Sequence, residues 1–227
     1  MRLDERVTVH DVAPQLPEIA VLREHCRSLA ILEAVLSPEW EDRYYSFDDH
    51  WSEKESMASM RNGSGDEHSI VFSPAGAYVR GFDHESPMSP YVGDGPWPGV
   101  LDEVPEVFRP CVEEPAFSDE DGMPRITVCI WRETGDDGWR AGTIDFPDEA
   151  MEDPDGAGYL FHLLVDRSPE AFQRWAEDYY EVSVDLGAVR HVFSSHPLTE
   201  EVVRALNSEI VLADLVEEIA EIGYPMS

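Results

Sequence analysis

The run Asp83-His84-Glu85 has the residue types best suited to chemistry in this sequence. Carboxylate and imidazole groups are ligands that zinc, manganese and iron take in proteins. Because neighbouring residues on a strand point to opposite faces, we expect at most Asp83 and Glu85 to share one site directly. Residues 48–50 (Asp-Asp-His) repeat the pattern in part. A metal site and a polar surface loop both account for such a run, and the sequence leaves both interpretations open.

The pair Ser195-His196, with Asp185 nearby in the chain, is a second candidate. A nucleophilic serine needs a base held by a third group and hydrogen-bond donors opposite for the oxyanion. The spacing gives no support for that arrangement, so we expect residues 194–196 to form a turn. The sequence also lacks a phosphate loop, a Rossmann glycine fingerprint and an HExxH motif, and we therefore predict no cofactor.

Aromatic residues among acids indicate a different kind of site, a surface that binds another protein. Many interfaces place aromatic anchors inside a polar rim. The first half of the chain contains such a group, and the residues predicted to bind a partner are Trp40, Glu41, Asp42, Tyr44 and Trp51.

The charge of the chain limits the class of partner. It has 48 acidic and 16 basic residues and a formal net charge of −32 at pH 7. This charge repels phosphate backbones, so we expect no direct contact with nucleic acid, and it attracts a basic protein. A charged surface also keeps a protein soluble whatever its role, and that interpretation stays open.

We expect neither a targeting signal nor paired cysteines. Apolar runs such as residues 210–213 are far shorter than the roughly 18 to 20 residues that cross a bilayer. Residues 1–6 carry acids at once, unlike a secretory signal. Cys26, Cys111 and Cys129 show no paired spacing and are expected to be free core residues. We therefore predict a cytoplasmic protein without membrane contact.

The periodicity of the first half predicts a helix followed by strands. Apolar residues in 22–36 recur every three or four positions, which is typical of an amphipathic helix. Segments 44–47 and 55–61 are typical of strands. Segments 68–73 and 77–82 flank a Pro-Ala-Gly turn and predict a β-hairpin.

The middle of the chain contains many residues that interrupt helices and strands. Residues 87–98 are rich in proline and glycine and contain two aromatic residues, which favours an ordered loop over a flexible linker. Segments 125–133 and 139–146 predict a second hairpin. Residues 147–158 are acidic with almost no apolar content, so we expect a solvated loop.

Helix caps mark the last third. We expect strands at 159–165 and 189–193, a helix capped by Ser168, and another capped by Thr199. A C-terminal helix ends at Gly223 and should dock on the core. Its apolar stripe consists of Leu212, Leu215, Val216, Ile219 and Ile222.

These elements predict an α+β protein with an antiparallel sheet built from hairpins, packed helices, and C-terminal helices docked on the core. We expect a single domain over residues 1–227. The acidic loop 147–158 is the place for a subdomain boundary.

Three segments resemble a family of uncharacterised bacterial proteins. They are residues 57–67 (MASMRNGSGDE), 81–86 (GFDHES) and 221–225 (EIGYP). The size, acidity and α+β pattern are also loosely similar to SUKH-type immunity proteins of bacterial toxin systems. The second resemblance implies a protein that binds a protein partner.

Two functions follow from these observations. The first is a cytoplasmic acidic binding protein, such as an immunity or antitoxin-like protein, that occupies a basic protein partner. The alternative is a small metal-dependent hydrolase that uses Asp83, His84 and Glu85.

Overall fold

The computed structural model describes residues 6–147 and 152–225. Contacts within the chain group them into two compact units. Unit 1 contains residues 6–19 and 61–165 apart from 148–151, and unit 2 contains residues 20–60 and 166–225. In the predicted boundary loop 147–158, residues 148–151 lie outside the described residues, as do residues 1–5. The single-domain organisation stays a prediction.

Helices outnumber strands in the described part of the chain. In chain order the helices are α1 (Val9–Val12), α2 (Ile19–Leu36), α3 (Arg109–Val112), α4 (Ala157–Leu160), α5 (His162–Val165), α6 (Pro169–Tyr180), α7 (Leu186–Phe193), α8 (Glu200–Leu206) and α9 (Val216–Ile222). The strands are β1 (Tyr45–Asp48), β2 (Ser56–Arg61), β3 (Glu67–Ser73), β4 (Gly76–Phe82) and β5 (Val128–Glu133). Across these described ranges, no helix combines the length and apolar character needed to span a membrane.

Unit 1 is organised around the antiparallel strands β3, β4 and β5. The predicted first hairpin is confirmed, since β3 pairs with β4 and its turn joins Ser73 to Gly76. Strand β4 pairs with β5 on its other side. Ile70, Val79 and Ile130 stand opposite one another across the three strands and are fully buried, so the core of this unit lies against the middle of the sheet.

Unit 2 combines the antiparallel pair β1 and β2 with helices α2 and α6–α9. The C-terminal helix α9 contacts β1, and Leu215, Ile219 and Ile222 of the predicted apolar stripe are buried, whereas Val216 is 48% exposed. It ends at Gly223, whose φ of +69° suits the residue that follows a helix. These contacts confirm the α+β class, the antiparallel strand pairing and the docking of the C-terminal helix.

Two predicted strands are wrong. Residues 159–165 form α4 and α5, and residues 189–193 belong to α7. A short buried apolar run looks the same in a strand and in a buried helix, so its periodicity does not decide between them. For α7 the residue before the helix favours the helical state. The Asp185 side chain accepts a hydrogen bond from the backbone of Ala188 and caps the N-terminus of the helix.

The second predicted hairpin forms only in part. Its first segment is β5, but residues 139–146 contribute a single bridge, between Trp131 and Arg140. The acidic loop also differs from the prediction of a solvated loop. Residues 154–157 are buried within unit 1, where the Asp155 carboxylate accepts a hydrogen bond from the backbone of Val9 at 2.8 Å.

Candidate functional site

The segment Glu39-Trp40-Glu41-Asp42, called the Trp40 segment below, is an acidic surface of unit 2. Its last three residues form a short 3₁₀ turn after the end of α2. The indole of Trp40 is 53% exposed, and the three acids beside it are exposed as well. Three of the predicted partner-binding residues, Trp40, Glu41 and Asp42, are therefore at the surface.

The base that follows this segment does not neutralise it. Arg43 is buried, and its guanidinium donates to the carboxylate of Glu218 at 2.7 Å. The same group donates to the carbonyl oxygens of Ser37 and Pro38, at 3.0 and 2.7 Å. Because its donors are used inside unit 2, the Trp40 segment keeps its negative charge.

Tyr44 was predicted to be a surface residue, and that prediction is wrong. Its side chain is only 4% exposed. The ring packs against the rings of Tyr45, Trp175 and Tyr179, with centroids 4.9 to 5.0 Å apart. Tyr44 directly precedes β1, and this aromatic packing against α6 draws it into the core. Trp51 is half-buried.

A second candidate site lies in unit 1, at one edge of the β3–β4 hairpin. Strand β3 begins and β4 ends at the paired residues Glu67 and Phe82. The neighbours of these residues, Asp66 before β3 and Asp83 and His84 after β4, therefore meet at the same edge. One potential ligand atom from each of these three residues lies within 4.8 Å of the others.

Hydrogen bonds fix the relation between Asp66 and His84. Oδ1 of Asp66 lies 2.6 Å from Nδ1 of His84 and accepts from the backbone N–H of the same residue at 2.9 Å. Asn62 donates to the other carboxylate oxygen at 2.6 Å. Burial acts to raise the pKa of Asp66, but these hydrogen bonds outweigh it and lower the pKa. The bond to Asp66 raises the pKa of His84, so the two form an ion pair over a wider pH range.

Two atoms of this cluster remain available. Oδ1 of Asp83 accepts from the backbone of Glu85 at 2.9 Å, but in the described chain Oδ2 accepts no hydrogen bond. Nε2 of the exposed His84 likewise has no partner there. Burial and the nearby charge of Asp66 raise the pKa of Asp83. When His84 is neutral, the cluster can thus present a carboxylate oxygen and an imidazole nitrogen to a cation, which must compete with the proton that Asp66 favours on His84.

The residue set of this cluster differs from the predicted one. Asp83 and His84 come together with Asp66, and Glu85 is not part of the group. Residues 83–86 form a turn, in which Ser86 donates to the carbonyl of Asp83 at 3.2 Å, so the alternation of a strand does not apply. The hairpin register was the signal that could have identified Asp66, because it places the start of one strand beside the end of the next.

The partial repeat at residues 48–50 has a structural role. Asp49 is bound by Arg23 at 2.9 Å and by Arg27. Burial acts to raise its pKa, and the bonds and charges of the two arginines lower it. This carboxylate is therefore occupied within unit 2 and is not a metal ligand in this arrangement.

The serine and histidine of the rejected triad lie in the predicted turn. Ser195 follows α7 with a φ of +52°, and His191 and His196 have ring centroids 5.2 Å apart. His191 contacts the carbonyl of Pro197 at 2.9 Å. These contacts hold the turn between α7 and α8.

Comparison of the chain with protein-family models, with curated proteins and with solved structures finds no match. The two resemblances drawn from the sequence therefore stay expectations.

Proposed function

We propose that this protein is an acidic binding protein whose Trp40 segment occupies a basic partner protein, in the manner of an immunity or antitoxin-like protein in the cytoplasm. The observation that carries the proposal is the half-exposed indole of Trp40 among exposed acids, beside an arginine that points inward. The immunity-like role rests on the resemblance described above.

The chemistry of this segment suits a protein interface. Tryptophan is enriched among the residues that contribute most to binding, because it buries a large area when a partner covers it. Glu39, Glu41 and Asp42 supply a charged rim, which speeds the encounter with a partner of opposite charge. The net charge of −32 adds a long-range attraction for the same class of partner.

The test begins with chemical cross-linking of the tagged protein in its native cell, followed by kinetic measurement with the purified partner. From about 0.01 to about 0.15 M salt the Debye length falls from about 30 to about 8 Å, so the association rate should fall over that range. Trp40→Ala should weaken the complex at least about ten-fold, mainly through faster dissociation.

A charge-matched pair of variants separates the Trp40 segment from the overall acidity. Glu41→Gln with Asp42→Asn should slow association more than Glu120→Gln with Asp121→Asn, which removes the same charge from an exposed stretch of unit 1. Equal effects of the two pairs, or an association rate that does not change with salt, would contradict the proposed surface.

A metal-dependent hydrolase is the second candidate, and the free atoms of Asp83 and His84 beside Asp66 favour it. A cation bound there would supply the activated water of hydrolysis. Titration of purified protein with Zn²⁺ or Mn²⁺ in a calorimeter distinguishes the candidates. Stoichiometric binding that is lost in His84→Ala and kept in His50→Ala, an exposed histidine of unit 2, would favour the hydrolase. Without such binding, the acidic binding protein stands alone.

A further inference from the structure

The loop at residues 87–98 lines an open surface cavity of about 350 Å³ in unit 1. Its lining is mainly apolar and includes Pro87, Val92, Pro96 and Trp97. Clefts that bind small ligands in proteins begin at about 300 Å³. The proline and aromatic content that predicted an ordered loop therefore also shapes a surface that can bind a ligand.

Hydrogen bonds to other parts of unit 1 fix the position of this loop. Met88 is fully buried, and its backbone N–H donates to Ser86 Oγ at 3.0 Å. The hydroxyl of Ser86 donates in turn to the carbonyl of Pro154 at 2.6 Å. Near the C-terminal end of the loop, Nε1 of Trp97 donates to the carbonyl of Asp145 at 3.0 Å. A surface fixed in this way loses little conformational entropy when a ligand binds.

Apolar side chains are exposed at the rim. Val92 is 72% exposed and Tyr91 55%. The ring of Tyr91 packs edge-on against Phe82 at 5.9 Å, and its hydroxyl donates to Asp119 at 3.1 Å, which fixes the ring. Exposed apolar residues grouped beside a cavity mark an interaction site more often than single ones do.

The charge of this region limits the occupant. Residues 85–108 contain five acids and no lysine, arginine or histidine. Asp94 lies in the lining of the cavity itself. Asp94 is exposed, so an occupant with a positive charge next to its apolar group would pair with this carboxylate, whereas an apolar group alone would gain nothing from it.

We infer that the 87–98 loop is a docking surface for an extended basic peptide segment that inserts an apolar side chain beside Trp97 and places a lysine or arginine at Asp94. This surface lies in unit 1, and the Trp40 segment lies in unit 2. It therefore adds a second recognition element to the proposed function and does not depend on the first.

A labelled five-residue peptide with a central leucine between arginines tests the inference by fluorescence anisotropy at low salt. A peptide with glutamates in place of the arginines, and one with serine in place of the leucine, should each bind at least about ten-fold more weakly. Each of the variants Val92→Ser and Asp94→Asn should weaken binding of the arginine peptide to a similar extent. Val216→Ser, an exposed valine of α9, is the matched control and should bind as the wild type does.

The same assay separates this inference from the proposed function. Trp40→Ala should leave binding of the peptide unchanged. If Trp40→Ala abolishes binding and Val92→Ser does not, the peptide binds at the Trp40 segment, and the inference about the loop is wrong. Equal binding of the arginine and glutamate peptides would also overturn it.

Discussion

Two carboxylates, Glu33 in unit 2 and Asp155 in unit 1, are fully buried but are bound in different ways. Burial raises the pKa of each to about 7. Oε2 of Glu33 accepts three hydrogen bonds, from the backbones of Tyr44 and Tyr45 and from the hydroxyl of Tyr180. Among residues 6–147 and 152–225, no group forms a hydrogen bond with Oε1 of Glu33.

Asp155 uses both of its oxygens. Oδ2 accepts from the backbone of Val9 at 2.8 Å, and Oδ1 accepts from the backbone of Ala157 at 3.1 Å. The carboxylate thereby joins the first turn of α1 to the start of α4 within unit 1. One oxygen of Glu33 accepts no hydrogen bond, whereas both oxygens of Asp155 do, so replacing each carboxylate with an amide should have different effects.

The largest effect is expected for Asp155→Asn. An amide nitrogen cannot accept a hydrogen bond, so either Val9 or Ala157 loses the partner of a buried N–H. We expect a loss of about 1 to 3 kcal/mol in the free energy of unfolding at pH 5, where the folded protein holds Asp155 mostly protonated, because one buried N–H is left without an acceptor. Urea denaturation at pH 5 measures it.

Asp153→Asn tests whether that loss is specific to Asp155, but it also removes the acceptor of one of two backbone N–H groups, those of Gly158 and Tyr159. The better control is therefore Glu120→Gln, which removes a charge from an exposed position. A loss in Asp155→Asn no greater than in the control would show that the buried bonds contribute little.

The helix caps and the two buried carboxylates differ in how well they could be predicted from the sequence. Caps were predictable because they depend on neighbours in the chain: Ser168 accepts from Ala171, and Thr199 from Val202, as expected. The burial of Glu33 had a signal too, because it lies four residues after Leu29 on the apolar face of α2. Asp155 had none, since an acidic stretch gives no indication that a distant N-terminal helix will cover it.

The candidate sites divide in the same way. The exposure of Trp40 and its acids follows from their position beyond the end of α2. Asp83 and His84 were predicted, whereas Asp66 required the pairing of strands far apart in sequence. The cavity of the 87–98 loop depends on how its prolines pack, which composition does not encode.

A change in pH should distinguish Glu33→Gln from the wild type. The pKa of Glu33 rises from 4.5 to about 7 on folding. The folded state therefore binds the proton more tightly, and stability falls as pH rises from about 4.5 through about 7. This difference corresponds to about 3 kcal/mol over that range.

Glu33→Gln should remove this part of the pH dependence while costing little at pH 5. Its amide nitrogen can occupy the place of Oε1, so the three donors keep their acceptor. Part of the fall with pH should remain, because Asp155 acts in the same direction. Stability curves at pH 5, 6, 7 and 8 that are parallel for the two proteins would show that Glu33 does not titrate in this range.

The smallest effect is expected for Tyr180→Phe, which removes one donor from Glu33. The hydroxyl of Tyr180 lies 2.6 Å from Oε2, and hydrogen bonds to a charged acceptor are stronger than those to a neutral one. The ring should stay in place, because it packs edge-on against Tyr179 at a centroid distance of 4.9 Å. We expect a loss of about 1 kcal/mol at pH 8, where Glu33 is charged, and a smaller loss at pH 5. Removing the donor also raises the pKa of Glu33 further, so the fall in stability continues to a higher pH than in the wild type. A double-mutant cycle with Glu33→Gln isolates this contribution, since the cost of Tyr180→Phe should no longer change with pH once position 33 is uncharged. A cost that is the same at both pH values in the wild-type background would mean that the hydroxyl does not interact with a charged Glu33.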